Sequence, residues 1–402
     1  MKHTVELEIG GRTLSIETGR MAKQANGACL VRYGDTMILA TSCASPDPLL
    51  GRGFFPLTVD YRERAYAGGK IPGGFFKREG RPSEKETLVS RMIDRPIRPL
   101  FPEGYLHEIQ CLITAISSDK QNDTDTISLI GVSASLYISD IPFSTPVAGV
   151  RVGRINGTLT LNPTFSQRED SDLNIFVAGT ADSITMVEGG GIEVTEPDML
   201  DALKLAHENI KLIVAKIEEL RELAGVPKAD FVAVKPSEEL IGRVREISES
   251  KLSEACHISD KESRRKAKKD VQAEVLEALA EEFPDDEGFI KSALHDIDNE
   301  INRRMILDES RRIDERGFDD IREITIETSV LPRTHGSALF TRGQTQAMVV
   351  LTLGTKVDEQ RIDDLEGDSS KSYMLHYNFP PSLVGEVRPI RGVGRREIGH
   401  GA

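Results

Sequence analysis

Phe75, Phe76, Lys77, Arg78 and Arg81 stand within one short stretch, FFKREGR, and its cations suit a phosphate or nucleic acid. Guanidinium and ammonium groups neutralise phosphates, and arginine can grip phosphate oxygens in a bidentate way. Ser83 and Glu86 follow at capping-box spacing, and Leu88, Val89, Met92 and Ile93 then recur as the apolar positions of a helix. The basic residues therefore sit at a helix entrance, where unpaired backbone N–H groups and the helix dipole favour anions. Pro96 and Pro99 are expected to stop that helix. The chemistry this stretch suggests is a phosphate or nucleic-acid contact on a short rigid platform.

The surrounding charge sharpens this reading. The whole chain of 402 residues carries a formal charge of −14, which opposes indiscriminate nucleic-acid binding. From Arg62 to Arg98, however, ten Lys or Arg stand against five Asp or Glu, a local balance of +5. Such segregation directs a polyanion to one place; a solvated charged surface is the plainer alternative. A hydrophobic content of 39% over this length supports two or three packed domains. No apolar run is long enough to span a membrane, and the opening MKHTVELEIGGRTLSIE alternates like a strand, so a cytoplasmic location is expected. Cys29, Cys43, Cys111 and Cys256 lack metal-ligand spacing and read as reduced packing residues. The eight histidines form no dense cluster, so a structural metal is not expected.

Taken in order, the chain begins with short strands: VELEIGG with RTLSIETG, then ACLVRY and TMILATSCA around Tyr33-Gly34-Asp35, then FFPLTVDYRER. After the capped helix come a strand (EIQCLITAISS), a helix (TISLIGVSASLYIS) and further strands up to ITMVEGG. This mixed order indicates an α+β domain over a doubly wound one. From Thr195 to Ala224 apolar residues recur at spacings of three and four, the mark of one long helix. Residues 237–314 are rich in Ala, Glu, Lys, Leu and Arg and read as an all-helical domain, broken at Phe283-Pro284. Its basic run, Ser263 to Lys269, reads as a solvated helix face.

The chain then repeats itself. Gly27, Gly34 and Thr36 recur as Gly336, Gly343 and Thr345, a shift of 309. Leu57, Lys77, Arg78 and Glu79 recur as Leu375, Arg395, Arg396 and Glu397 at a shift of 318, which gives the second copy its own basic loop, VRPIRGVGRREIGHGA. On that shift the second copy's helix is expected to start only at the last residues, so the second copy reads as truncated. The acidic loop from Asp358 to Asp368 lacks the ligand spacing of a calcium loop and reads as solvated.

Three stretches, IPGGFFKREGRPSEKETLVSRMIDRPIRPLFPEGY, LGTKVDEQRIDDLEGDSSKSYMLHYNFPPSLVGEVRPIRG and GRREIGHGA, resemble the polynucleotide phosphorylase (polyribonucleotide nucleotidyltransferase) family over the whole chain. The resemblance implies an RNase PH-like (ribosomal protein-like β-α) core at 1–145 and 146–230, an all-helical linker domain at 237–314 and the start of a second RNase PH-like core at 316–402. It implies phosphorolysis of single-stranded RNA from its 3′ end to nucleoside 5′-diphosphates, reversibly, in mRNA decay, with Mg²⁺ as cofactor and inorganic phosphate as co-substrate. It also implies a ring-shaped homotrimer, with partners in RNA-degradation complexes. Under it, Phe75 to Arg81 corresponds to an RNA-contacting loop, with Lys77 where many members carry arginine. Arg395, Arg396 and His400 correspond to a phosphate and RNA site, where cations would hold two mutually repelling phosphates. Asp170 and Asp172 resemble the strand entrance of the catalytic copy, but Phe176 stands where that copy has lysine, so the first copy reads as degenerate. The metal-binding aspartates and the C-terminal KH and OB-fold modules have no counterpart in this sequence. A noncatalytic RNA-binding or ring-scaffold role for these residues is the alternative, and hydrolysis is the least supported.

Overall fold

The computed structural model describes residues 1–49, 54–73, 75–233, 235–390 and 392–402; Gly74 and Arg391, in the two basic loops, lie outside the described residues. The chain divides into two compact units, one of residues 1–233 and 359–402, the other of residues 234–358.

The first unit opens with strands β1 (His3–Ile9), β2 (Arg12–Thr18), β3 (Gly27–Tyr33), β4 (Thr36–Pro48) and β5 (Leu57–Glu63). Helix α1 (Glu84–Ile97), strand β6 (His107–Ser117) and helix α2 (Thr124–Ile138) follow. Strands β7 (Ala148–Ile155) and β8 (Thr158–Leu161), helix α3 (Phe165–Glu169), strands β9 (Ser171–Gly179) and β10 (Ile184–Gly191) and helix α4 (Glu196–Ala224) complete the core. One sheet runs β1-β2-β3-β4-β6-β5, antiparallel except for the β5/β6 pair; a second runs β10-β9-β7-β8. This is the α+β architecture the strand and helix pattern predicts.

Helix α2 explains why the two halves share one core. It is buried along almost its whole length, and it packs against β3 and β4 as well as β7 and α4. The boundary near residue 145 therefore does not separate two cores, since Leu129 and Val150 belong to a single cluster. Buried serines on α2 are satisfied locally: Ser128 donates to the Thr124 carbonyl, and Ser133 accepts from the Val147 N–H. Gly27 lets the helix come close, because a Cβ there would lie 1.9 Å from the Ser135 carbonyl oxygen. At the repeat-related Gly336 a Cβ would meet only the Leu351 side chain, at 3.4 Å or more. Gly27→Ala is accordingly expected to cost about 3 kcal/mol and Gly336→Ala under about 0.5 kcal/mol, as read from urea unfolding.

Pro96 does not stop α1, which continues to Ile97. In the last turn proline removes only one backbone bond, and its fixed φ is helical, so the helix passes through and tightens into a 3₁₀ turn at Arg98–Leu100. Cys29, Cys111 and Cys256 are buried, whereas Cys43 is exposed on β4. Burial pushes the Cys111 thiol up to about 12.

The second unit holds helices α5 (Glu238–Cys256), α6 (Lys261–Leu279) and α7 (Glu287–Asp308), whose apolar faces form a separate cluster around Leu240, Val244, Val275, Leu279 and Ile297. Strands β11 (Ile324–Thr328), β12 (Gly336–Arg342) and β13 (Thr345–Leu351) form a three-stranded antiparallel sheet. The β12/β13 register reproduces that of β3/β4 at the 309 shift, with Thr341 opposite Gln346 where Arg32 faces Met37. Residues 316–358 fall in the second unit and residues 359–402 in the first. Strands β14 (Gln360–Asp363) and β15 (Asp368–Lys371) and helix α8 (Arg395–Gly401) belong to the first unit. No described helix is long and apolar enough to cross a membrane.

Candidate nucleic-acid interface

The capping box read from the sequence is present: the Glu86 N–H donates to Ser83 Oγ at 3.1 Å, and the Ser83 N–H donates to Glu86 Oε2 at 2.6 Å. Glu86 Oε1 also accepts from the Glu63 N–H at 2.8 Å, which fastens the start of α1 to the end of β5. The loop before this anchor is displayed to solvent. Phe75 and Phe76 are 93% and 87% exposed, in an edge-to-face pair with centroids 5.4 Å apart, so neither ring is spent on packing under the loop. Lys77 adopts a left-handed φ of 50°, turning the chain at the loop tip. Lys77, Arg78 and Arg81 form no ion pair with any described residue. A cavity of about 430 Å³ lies beside the loop, lined by Arg62, Arg78 and Arg81 among others. Arg62, which composition counts only as one of many basic residues, likewise has no ionic partner among the described residues.

The acidic segment read as solvated is docked. Leu365 is 5% exposed and joins the main core, Glu366 accepts from Lys85 at 2.6 Å, Lys371 pairs with Glu84, and Asp363 pairs with Lys70. Lys85 is shared with Glu63 at 2.9 Å. The cause is a sequence-distant match: two lysines of the first copy lie where the hairpin of β14 and β15 presents its carboxylates. Behind them Asp123, Asp125, Arg151 and Arg168 form a buried network in which Arg168 donates to Asp123 at 2.7 Å and Arg151 to Asp125.

The second basic segment follows a different register from the one its sequence suggests. Glu397 Oε2 accepts from the Gly394 N–H at 2.7 Å and Glu397 Oε1 from the Phe379 N–H at 2.8 Å, reproducing the two backbone bonds of Glu86. The turn Ala65–Gly68 with left-handed Gly69 likewise recurs as Pro381–Val384 with left-handed Gly385. The repeat therefore runs at a shift of 316 here (381 − 65) and of 311 at the helix (397 − 86), not 318. Arg395 and Arg396 match Glu84 and Lys85, not Lys77 and Arg78, and the second copy's helix begins at Arg395, seven residues before the end. Chance likeness between KRE and RRE hides a first-copy loop that is five residues longer.

Arg395 donates to the Val59 carbonyl at 2.8 Å and pairs with Asp60. Arg396 is exposed with no ion pair among the described residues, and the His400 ring lies 5.0 Å from that of Tyr377. The two basic segments are neighbours, since a Cβ on Gly392 would lie 3.9 Å from Arg81 Nη1.

Asp172 accepts from Arg154 at 2.7 to 3.1 Å, and Arg154 holds Asp198 as well. That guanidinium keeps the Asp172 carboxyl below its ordinary range. Asp170 ends α3. Phe176 is 1% exposed, and a Cβ on Gly149 would lie 2.5 Å from its Cζ, so where the catalytic copy is expected to have lysine there is a core aromatic. Among the described residues no group of three His, Cys, Asp or Glu is arranged to hold a metal ion. The described residues do not fit Mg²⁺.

Comparison with known proteins agrees with this geometry. The family described as "3' exoribonuclease family, domain 1" matches residues 10–142 and again 320–401, and its domain 2 matches 145–209. "Polyribonucleotide nucleotidyltransferase, RNA binding domain" matches residues 239–317. Proteins described as polyribonucleotide nucleotidyltransferase from Geotalea uraniireducens and Geobacter sulfurreducens are 52% and 51% identical over 401 and 400 residues. Each alignment covers 100% of this chain but only 58% and 57% of the relative. A solved chain from an Archaeoglobus fulgidus exosome with RNA bound to the active site is 15% identical, with a TM-score of 0.40, the match covering 56% of this chain and 87% of that one.

Proposed function

Because the chain belongs to the 3′ exoribonuclease family, with the polyribonucleotide nucleotidyltransferase RNA-binding domain between its matched segments, we propose that it forms the RNA-guiding part of a phosphorolytic 3′→5′ exoribonuclease. In this reading single-stranded RNA runs over Phe75 and Phe76, its phosphates held by Lys77, Arg78 and Arg81, toward Arg396 and His400. Inorganic phosphate attacks the terminal phosphodiester and releases a nucleoside 5′-diphosphate. Both reactants are anions, so cations that bring them together lower the barrier by charge neutralisation and positioning. Mg²⁺ as cofactor is part of the same proposal. A homotrimeric ring, RNA-degradation partners, a role in mRNA decay and a cytoplasmic setting belong to the same proposal.

The observation that carries it is the exposed pair of phenylalanines flanked by unpaired cations, beside a second basic segment on the same compact unit. The test incubates labelled single-stranded RNA with this chain, Mg²⁺ and phosphate. RNA binding with little nucleoside diphosphate is expected, because Phe176 and the Arg154-bound Asp172 leave the first copy without reacting groups. Robust phosphate-dependent diphosphate release would contradict that assignment, and monophosphate without added phosphate would indicate hydrolysis.

A further inference from the structure

Helix α8 is seven residues long, too short to hold its shape unaided. Two neighbouring arginines open it, and the geometry treats them differently. Residues four apart lie on one helix face. Arg395 and Gly399 share the face turned to the first copy: Arg395 reaches Asp60 and the Val59 carbonyl on β5, and Gly399 lies under Arg91 of α1, with a Cβ there only 2.6 Å from Arg91 Nε. Arg396 and His400 lie about 100° further round the helix, and Arg396 meets no carboxylate among the described residues. Asp60 is well covered, its side chain 19% exposed, and Arg395 is its ionic partner.

We propose that the pair divides its work. Arg395 is a positioning residue clamped by Asp60 of the first copy, and Arg396 with His400 is the anion-binding face that this clamp aims. The division rests on the reading of α8 as an RNA-phosphate or phosphate site, but the clamp itself does not. A guanidinium already paired with a carboxylate displaces no counterion on binding RNA, whereas the unpaired one does. Asp60 thereby becomes a residue of the first copy on which the second copy's binding face depends.

The experiment uses the full chain with Asp60→Asn, Arg395→Ala, Arg396→Ala and the double exchange Asp60→Arg/Arg395→Asp. Hydrogen exchange of the α8 amides reads the clamp, and titration with a single-stranded oligouridylate at several salt concentrations reads the anion face. Asp60→Asn and Arg395→Ala are expected to speed exchange across α8 by about fivefold, the upper range for a partly exposed ion pair, and the double exchange restores most of the protection. Arg396→Ala leaves exchange unchanged, weakens binding about fivefold at 0.1 M salt and lowers the salt slope by about 0.7. Arg395→Ala weakens binding without lowering the slope. Unchanged exchange in Asp60→Asn, or an equal loss of slope in Arg395→Ala and Arg396→Ala, would overturn the division. If Arg396→Ala alters neither affinity nor slope, the anion-binding role of α8 fails, while the exchange arm still decides whether Asp60 clamps Arg395.

Discussion

Replacing Lys77, Arg78 and Arg81 together by alanine is expected to weaken binding of single-stranded RNA about a hundredfold at 0.1 M salt and to lower the salt slope by about two. The size follows from counterion release: each phosphate contact on a single strand contributes about 0.7 to the slope. All three cations are unpaired among the described residues, so each is free to make such a contact. Fluorescence anisotropy across a salt series measures both quantities. Phe75→Ala/Phe76→Ala should instead lower affinity with no change of slope, because stacking releases no ions; about 1–3 kcal/mol per stacked base is the usual scale. The two variants thus separate charge from stacking within one loop.

The second large effect concerns stability. Asp123, its side chain 8% exposed, caps α2 by accepting from the Asp125 N–H at 3.2 Å, while its other oxygen binds Arg168. Burial alone would raise its pKa, but Arg168, Lys85 and Arg151 together carry the carboxyl well below its ordinary range. Asp123→Ala leaves Arg151 and Arg168 without that counter-charge and is expected to cost about 3–5 kcal/mol in urea unfolding at pH 7. The sign of the pH dependence is fixed by the depressed value. The stabilisation from Asp123 is complete above the unfolded carboxyl range, near 3.9, and is lost as pH falls toward the folded value. The gap between the parent chain and Asp123→Ala should therefore narrow on acidification below about pH 4. Asp125 runs the other way: burial raises its value despite Arg151, so it opposes stability as pH rises through its folded value.

Local features were legible in the sequence because their causes are local. The Ser83–Glu86 box, the long α4 from Thr195 to Ala224 and the helix α2 all follow from the residues within one element. The 309 shift was legible too, since three small residues mark an unbroken pair of strands. The 318 shift failed because two loops of different length carry similar basic triplets, and only the backbone bonds to Glu86 and Glu397 reveal the true register. The docking of Leu365 and Glu366 was hidden for another reason: Lys85 and Glu366 lie 281 positions apart (366 − 85), and a charge run does not disclose its partner. Asp60 illustrates the same limit. Nothing near it in sequence points to Arg395, yet their pairing decides which of two adjacent arginines is free.

The central claim is that RNA lies along the Phe75–Arg81 loop and the outer face of α8. Photo-crosslinking of a single-stranded RNA carrying 4-thiouridine, followed by peptide mapping, tests it most directly. Crosslinks to Phe75 or Phe76 and to the peptide bearing Arg396 and His400 are predicted, with the loop crosslinks lost when Lys77, Arg78 and Arg81 are replaced. Crosslinks confined to α6, where Lys266 and Lys269 form no ion pair among the described residues, with none on the loop or α8, would contradict the account.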